Sequence, residues 1–312
     1  MSGLGRLTYY SLAAVGGEAC ERQWVRSIRS LRRFNPWARV ALVLYGAPRA
    51  ETLAEARAMN VQLIYGGDYG RCFAHLPPRV AEVLVRNPTL HKVLSLRLCP
   101  TEGVGQVLFL DCDTYFFDDV DRLFDRYCAR HFYAREEPGS SRSPGGCDPT
   151  YVDEAALRRI AWAERLSPIP PYNSGVFMLN GGAWDHLQYL ADEFLAFTWR
   201  LLVGLQLGSA LGAELDEAQA TLLAQASGEH DRRRSLPFPS SNAWIVEEIA
   251  LWLTLGRIPG LTHDLLGRQD VAQSGEAAEA ARARRRGGSG PVVAHYFSGG
   301  EDGFFAAVGA GP

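Results

Sequence analysis

The chain lacks paired cysteines. Its six, Cys20, Cys72, Cys99, Cys112, Cys128 and Cys147, are scattered with no CxxC spacing, so neither a structural zinc site nor a disulfide framework is indicated, and a reducing compartment fits. Long apolar runs are missing too. None approaches the ~20 residues that a membrane-spanning helix needs, and the first residues carry neither the basic patch nor the apolar core and cleavage site of a signal peptide. A cytoplasmic protein without stable membrane insertion is expected. Nor does charge of one sign dominate, since 32 Lys and Arg stand against 35 Asp and Glu for a net charge of −3. That balance speaks against nucleic acid as a partner held by bulk electrostatics. Lysine is scarce and no internal repeat is visible. What remains is ample apolar material, 47% of 312 residues, enough for a single α/β domain over 1–312.

Period and punctuation predict alternating strands and helices. Leu7 to Ala13 reads as a strand running into the loop AVGGEA, and Glu21 to Phe34 as a helix with Trp24, Ile28 and Leu31 on one face. Val40 to Tyr45 (VALVLY) and Val61 to Tyr65 read as further strands separated by a helix over Glu51 to Met59, the pattern of an open parallel sheet. A helix around Thr89 to Cys99 precedes a strand ending near residue 110. Beyond it, His131 to Arg135 and Gly175 to Leu179 are expected strands, separated by a Pro-, Gly- and Ser-rich loop over Glu136 to Pro149. Trp184 to Leu202, Asp216 to Gln225, Val246 to Leu255 and Glu276 to Arg286 read as helices, the last stopped by GGSG, and Val292 to Phe297 as a final strand.

The segment VLFLDCDTYFF, Val107 to Phe117, is the most informative. An unbroken apolar run reads as a strand covered on both faces, and ligands of open α/β sheets gather beyond the carboxyl ends of such strands. There stand Asp111 and Asp113, which an extended backbone points to one side. Two adjacent carboxylates must share a proton, stay solvated or hold a hard cation. The plainer reading makes Asp111 a turn residue and Asp113 a cap. Asp119 and Asp121 repeat the spacing, but with Asp118 and Asp125 they read as a solvated helix start. The thiol of Cys112, between the two aspartates, is expected to point away and pack. His295 is a lone late histidine on an apolar strand, followed by Gly299 and Gly300, and reads as a ligand or as a core histidine.

Four segments occur in order: TLHKVLSLRL with Lys92, VLFLDCDT, PYNSGVFMLN with Asn173, Ser174 and Gly175, and VVAHYFSGG with His295. Together, over about residues 7 to 300, they resemble glycosyltransferases of the GT-A fold, particularly the glycogenin and bacterial galactosyltransferase group, glycosyltransferase family eight. The resemblance implies a Rossmann-like, open and mostly parallel sheet flanked by helices, with a nucleotide-sugar-binding half over 7–130 and an acceptor or sugar half over 131–312. It implies manganese, or magnesium, on Asp111, Asp113 and His295. It also implies a nucleotide diphosphate sugar, favouring a uridine diphosphate sugar, along Tyr10, Ser11, Ala13, Lys92, Cys112, Asn173, Ser174, Gly175 and Gly299, and retention of configuration. Taken alone, Lys92 reads as a surface lysine and Asn173 as a turn residue after Pro170 and Pro171. The terminal motif departs from the family: SGGEDGFF offers Glu301 and Asp302 where the family carries a lysine near the leaving phosphate. Its neutralisation then falls to Lys92, Arg97 or the basic run Arg282 to Arg286.

The resemblance also demands an acid near the donor sugar. Glu247 and Glu248 open the more apolar helix and are favoured over Asp216, Glu217 and Gln219, although acids in a first turn also suit any helix dipole. The acceptor, saccharide, lipid-linked, protein or natural product, is not legible. A sugar nucleotidyltransferase would need a basic, glycine-rich loop after the first strand, where AVGGEA stands instead; a catalytically inactive binding protein on the same fold is a third reading.

Overall fold

Every position of VALVLY, strand β2 (Val40–Tyr45), is buried, and an all-apolar strand of this kind needs cover on both faces. In the computed structural model of the chain, residues 5–74, 88–100, 102–136, 172–181, 255–273, 275–296 and 301–309 are described, with positions 81, 85, 162, 165, 166, 248, 251 and 252. The helices expected over 184–202 and 216–225 and the Pro-, Gly- and Ser-rich loop after Glu136 lie outside them.

Strand β1 (Gly5–Ala13) pairs parallel with β2 on one side and with β4 (Val104–Leu110) on the other, while β3 (Gln62–Gly67) closes the β2 edge. The sheet continues through β7 (Tyr172–Asn180), antiparallel to β4, then β6 (Phe132–Glu136) and β8 (His263–Leu265), in the order β3-β2-β1-β4-β7-β6-β8. This is the open, mostly parallel α/β sheet expected from the sequence. Its order turns back between β1 and β4, and the carboxyl ends of strands at such a switch point form a crevice. A smaller sheet, β5 (Thr114–Phe116), β10 (Val293–His295) and β9 (Val271–Gln273), stands beside it in the order β5-β10-β9.

Side chains alternate across the large sheet. Leu7, Tyr9, Val43, Val107, Phe109 and Phe177 face one core, capped by Val93 and Leu94 of helix α3 (His91–Leu96) and by Leu251, Trp252 and Leu255. Tyr10, Leu12, Leu42, Leu108 and Val176 face the other, against Trp24, Ile28 and Leu31 of α1 (Gly17–Phe34). That helical face is the one its 3.6-residue spacing predicts. Two shorter helices, α2 (Ala50–Ala58) and α4 (Asp121–Arg126), follow β3's partner strand and the acidic run. The run is a helix start, as expected, with Asp119 accepting from the backbone of Asp121 at 2.8 Å. Helix α5 (Gly275–Arg285) ends where the backbone turns left-handed at Gly287, with φ 79°. There Gly288 N–H reaches the Ala283 carbonyl and Gly287 N–H that of Arg284, both at 3.0 Å, the bonds that satisfy a helix's last carbonyls. Helix α6 (Glu301–Val308) packs Phe304 and Phe305 against Tyr296 and Phe117 under the small sheet.

Phe109 and Phe177 stack at 4.6 Å between centroids in the middle of the large sheet. Phe109→Ala is expected to cost about 3–5 kcal/mol, read as a lower urea midpoint at unchanged slope; a loss below about 1 kcal/mol would mean that this core is not the one that holds the sheet together.

Candidate metal and donor site

Past Leu110 the backbone of Asp111 to Thr114 is fixed from two sides. Asp111 N–H donates to Gly175 O of β7 at 2.7 Å, and Tyr296 N–H donates to Asp113 O at 3.1 Å. Thr114 adds a hydroxyl donated to Asp111 O at 2.9 Å, so Asp111 does sit at a turn while its carboxylate faces the crevice. The small sheet then delivers His295, the register partner of Thr114. Its Nε2 lies 3.2 Å from Asp113 Oδ1 and 3.7 Å from Asp111 Oδ2, and one ligand atom from each of the three residues falls within 4.8 Å of the others. Gly175 makes this possible, because a methyl group there would overlap the His295 imidazole. Two carboxylates and an imidazole form a donor set suited to manganese or magnesium.

Lys92 is the chain's one lysine, and it is buried at this site, not at the surface. Helix α3 runs along the sheet so that Tyr9 OH donates to Ser95 O at 2.5 Å, Ser11 Oγ meets His91 Nδ1 at 2.7 Å, and Lys92 Nζ reaches Asp111 Oδ2 at 2.7 Å. Lys92 also donates to Ser174 Oγ at 3.0 Å. Glu248 Oε1 accepts from Asn173 Nδ2, Ser174 N–H and Ser174 Oγ at 3.0, 3.1 and 3.2 Å, and Asn173 Oδ1 accepts from Gly175 N–H at 3.0 Å. Asn173 is thus a strand residue and not the turn residue of the plainer reading. It pairs with Arg135 of β6 next to a register shift between Ala134 and Arg135, the kind of irregularity that re-aims side chains beside active sites.

Burial acts against charge on both aspartates. For Asp111 it prevails over the Lys92 ammonium and holds the carboxyl above the ordinary range, whereas for Asp113 the charge and hydrogen bond of His295 outweigh it and hold the carboxyl below. Burial alone would lower the His295 imidazole, but the two carboxylates raise it. His91 behaves oppositely: burial, then the neighbouring Lys92, push it down to about 3, so it is a neutral ring at neutral pH.

The other expected residues divide. Ser11 stands on the Asp111 side of β1, in contact with His91, and Ala13 is buried in the same core as Tyr9. Tyr10 is corrected: strand alternation turns it to the opposite face, where its ring meets Trp24 and its hydroxyl Ser27 at 2.9 Å, so its side chain does not line the crevice. Cys112 packs beside the α1 core, with Sγ 3.7 Å from Ser11 O. Glu247, Asp216, Glu217, Gln219 and Gly299 lie outside the described residues. Arg97 stands by Tyr45 and Cys72, and Arg284 is engaged with Phe117 O and Asp118, so neither faces the carboxylates. Glu301 bonds Arg26 and Gln23 of α1 and anchors α6. His91 and Arg135 were not among the residues expected from the sequence. The scarcity of lysine could have singled out Lys92 and its neighbour His91; Arg135, buried at the end of β6 and bonded to Val271 O at 2.7 Å and Glu276 at 3.1 Å, shows only as a charge ending an apolar strand.

No protein-family profile matches the chain, and no curated protein matches it in sequence. Among solved structures it is similar to mouse xyloside xylosyltransferase 1 in its apo form, with 13% identity, 95% of this chain and 99% of that one covered and a TM-score of 0.49. It is likewise similar to the galactosyltransferase LgtC in complex with donor and acceptor sugar analogues, at 14% identity, 97% and 95% coverage and TM-score 0.49. The glycosyltransferase GlyE of Streptococcus pneumoniae TIGR4 is similar at 15% identity, with 94% of this chain and 55% of that one covered and a TM-score of 0.43. Likeness this distant fixes neither activity nor substrate.

Gly175→Ala is expected to push the His295 ring off the carboxylates and weaken manganese binding by about tenfold or more, as displaced metal ligands do. Calorimetric titration with manganese checks it; unchanged affinity would mean that His295 is not a ligand.

Proposed function

We propose that the protein is a metal-dependent glycosyltransferase of GT-A type that moves a sugar from a nucleotide diphosphate sugar, a uridine diphosphate sugar, to a hydroxyl-bearing acceptor with retention. The convergence of Asp111, Asp113, His295 and Lys92 at the switch point of an open α/β sheet carries this reading. The resemblance of its ordered motifs to family eight supplies the chemical class.

Asp111, Asp113 and His295 would hold manganese, or magnesium. When bound, the cation supplies Lewis-acid stabilisation of the negative charge that grows on the leaving diphosphate. Lys92 adds a fixed positive charge beside Asp111, in a place where the family's terminal lysine has no counterpart. Ser11 and the neutral His91 border the nucleotide end of the crevice. Asn173, Ser174 and Gly175 form the wall of the sugar end. Glu248 holds that wall in place through its three hydrogen bonds, and Glu247, its neighbour in sequence, is the second acid proposed for the sugar hydroxyls. Residues 7–130 then serve the nucleotide sugar, and 131–312 the sugar and its acceptor, whether saccharide, lipid-linked, protein or natural product. The loop after β1 contains no arginine or lysine, which disfavours nucleotidyl transfer. No described helix is long and apolar enough to cross a membrane, and the described cysteines are free, in keeping with a reducing, cytoplasmic setting.

Asp113→Asn tests this while sparing the Asp111–Lys92 pair. Manganese-dependent release of uridine diphosphate from uridine diphosphate sugars is expected to fall by on the order of 100-fold, with the circular dichroism spectrum unchanged. Wild-type turnover by this variant in the presence of EDTA would sink the metal mechanism.

A further inference from the structure

Gln273 ends β9 as the register partner of His295 in the parallel β9–β10 pair. Register partners share a face, so the amide lies on the His295 side of the small sheet, while Ala272 and Ala294 face the aromatic cluster of α6. Gln273 is 3% exposed, and its Nε2 is buried with no hydrogen-bond partner. Native structures leave few buried donors in this state, because such a group carries its desolvation penalty uncompensated.

The location is fixed by a clamp. Arg135, opposite Asn173 in the β6–β7 ladder, donates to Val271 O of β9 at 2.7 Å and to Glu276 at 3.1 Å, and the same Glu276 oxygen accepts from Gln273 N–H at 3.3 Å. These bonds tie β9 to the end of β6, where Arg135 pairs with Asn173, so Gln273 is held next to the strand end that carries Asn173 and Ser174. The charged part of a donor is served by the proposed ion and by Lys92, which borders the same strand end through Ser174. A carboxamide carries no net charge and offers both a donor and an acceptor, which suits hydroxyls better than phosphate oxygens.

We infer that Gln273 hydrogen-bonds a hydroxyl of the donor's sugar and so helps to select that sugar. This rests on the glycosyl-transfer reading above, and its failure can be told apart from the failure of that reading. The variant is Gln273→Met, which keeps the volume and removes the amide. Its affinities are measured by calorimetry at saturating manganese for uridine diphosphate and for uridine diphosphate glucose, galactose and N-acetylglucosamine, beside the melting temperature without ligand. Expected are uridine diphosphate affinity equal to wild type, about three- to tenfold weaker binding of the sugar nucleotide that wild type prefers, and a ligand-free melting temperature that is unchanged or higher. The last readout separates a ligand contact from a structural one, since removing a satisfied amide would lower it. Equal affinity of both proteins for every sugar nucleotide, or a lowered melting temperature with no selective loss, overturns the inference while leaving glycosyl transfer standing. If wild type binds neither manganese nor uridine diphosphate, both readings fall.

Discussion

Two carboxylates buried side by side repel each other by on the order of 4 kcal/mol at 4 Å and an effective dielectric of 20, and Asp111 and Asp113 stand in that relation at the end of β4. Positive charge must therefore be brought to them. Lys92 does so for Asp111 at 2.7 Å, and His295 for Asp113 at 3.2 Å. Neither comes from a neighbouring residue: one is carried by a six-residue helix laid along β1, the other by the last strand of a separate small sheet. Much of the architecture around the crevice follows from keeping these two deliveries in register.

The small sheet is the more demanding delivery. Its strands β5 and β10 are joined by Tyr296 N–H on Asp113 O and Phe117 N–H on Val292 O, and it is tied to the large sheet where β5 follows β4 and by Arg135 of β6 on Val271 O of β9, while the Arg26–Glu301 pair holds α6 against α1. Gly175 completes the fit from the other side, since any side chain there would occupy the volume of the His295 ring. Gly175 O also holds the Asp111 backbone. Three distant segments thus depend on one another at a single place, and a ligand that adds positive charge between the carboxylates would relieve the repulsion that all three are arranged to contain.

The parts of the fold legible in the sequence were those with enough period to rise above their neighbours. VALVLY and VLFL read as buried strands, and Trp24, Ile28 and Leu31 as one helical face, because core position is written locally as spacing. The strands β8 and β9 were not legible, since three residues cannot show an alternation and their partners lie far along the chain. In the site, Asp111, Asp113, Lys92, Asn173 and His295 could be picked out as an ordered set, and the structure brings them together. Of the neighbours Tyr10 and Ser11, both expected along the donor, strand parity sends the Tyr10 ring to the α1 core and leaves Ser11 beside Asp111. Arg135 and Gln273 gave no signal, because their roles depend on tertiary neighbours: a carboxylate on a distant helix, a side-chain amide nitrogen left without a partner.

A manganese-soaked crystal, read by anomalous diffraction, tests the central claim most directly. One strong anomalous peak is expected at about 2.0–2.6 Å from a carboxylate oxygen of Asp111, a carboxylate oxygen of Asp113 and a ring nitrogen of His295. A peak elsewhere, or no peak while Lys92 and His295 remain on the two carboxylates at saturating manganese, would contradict it.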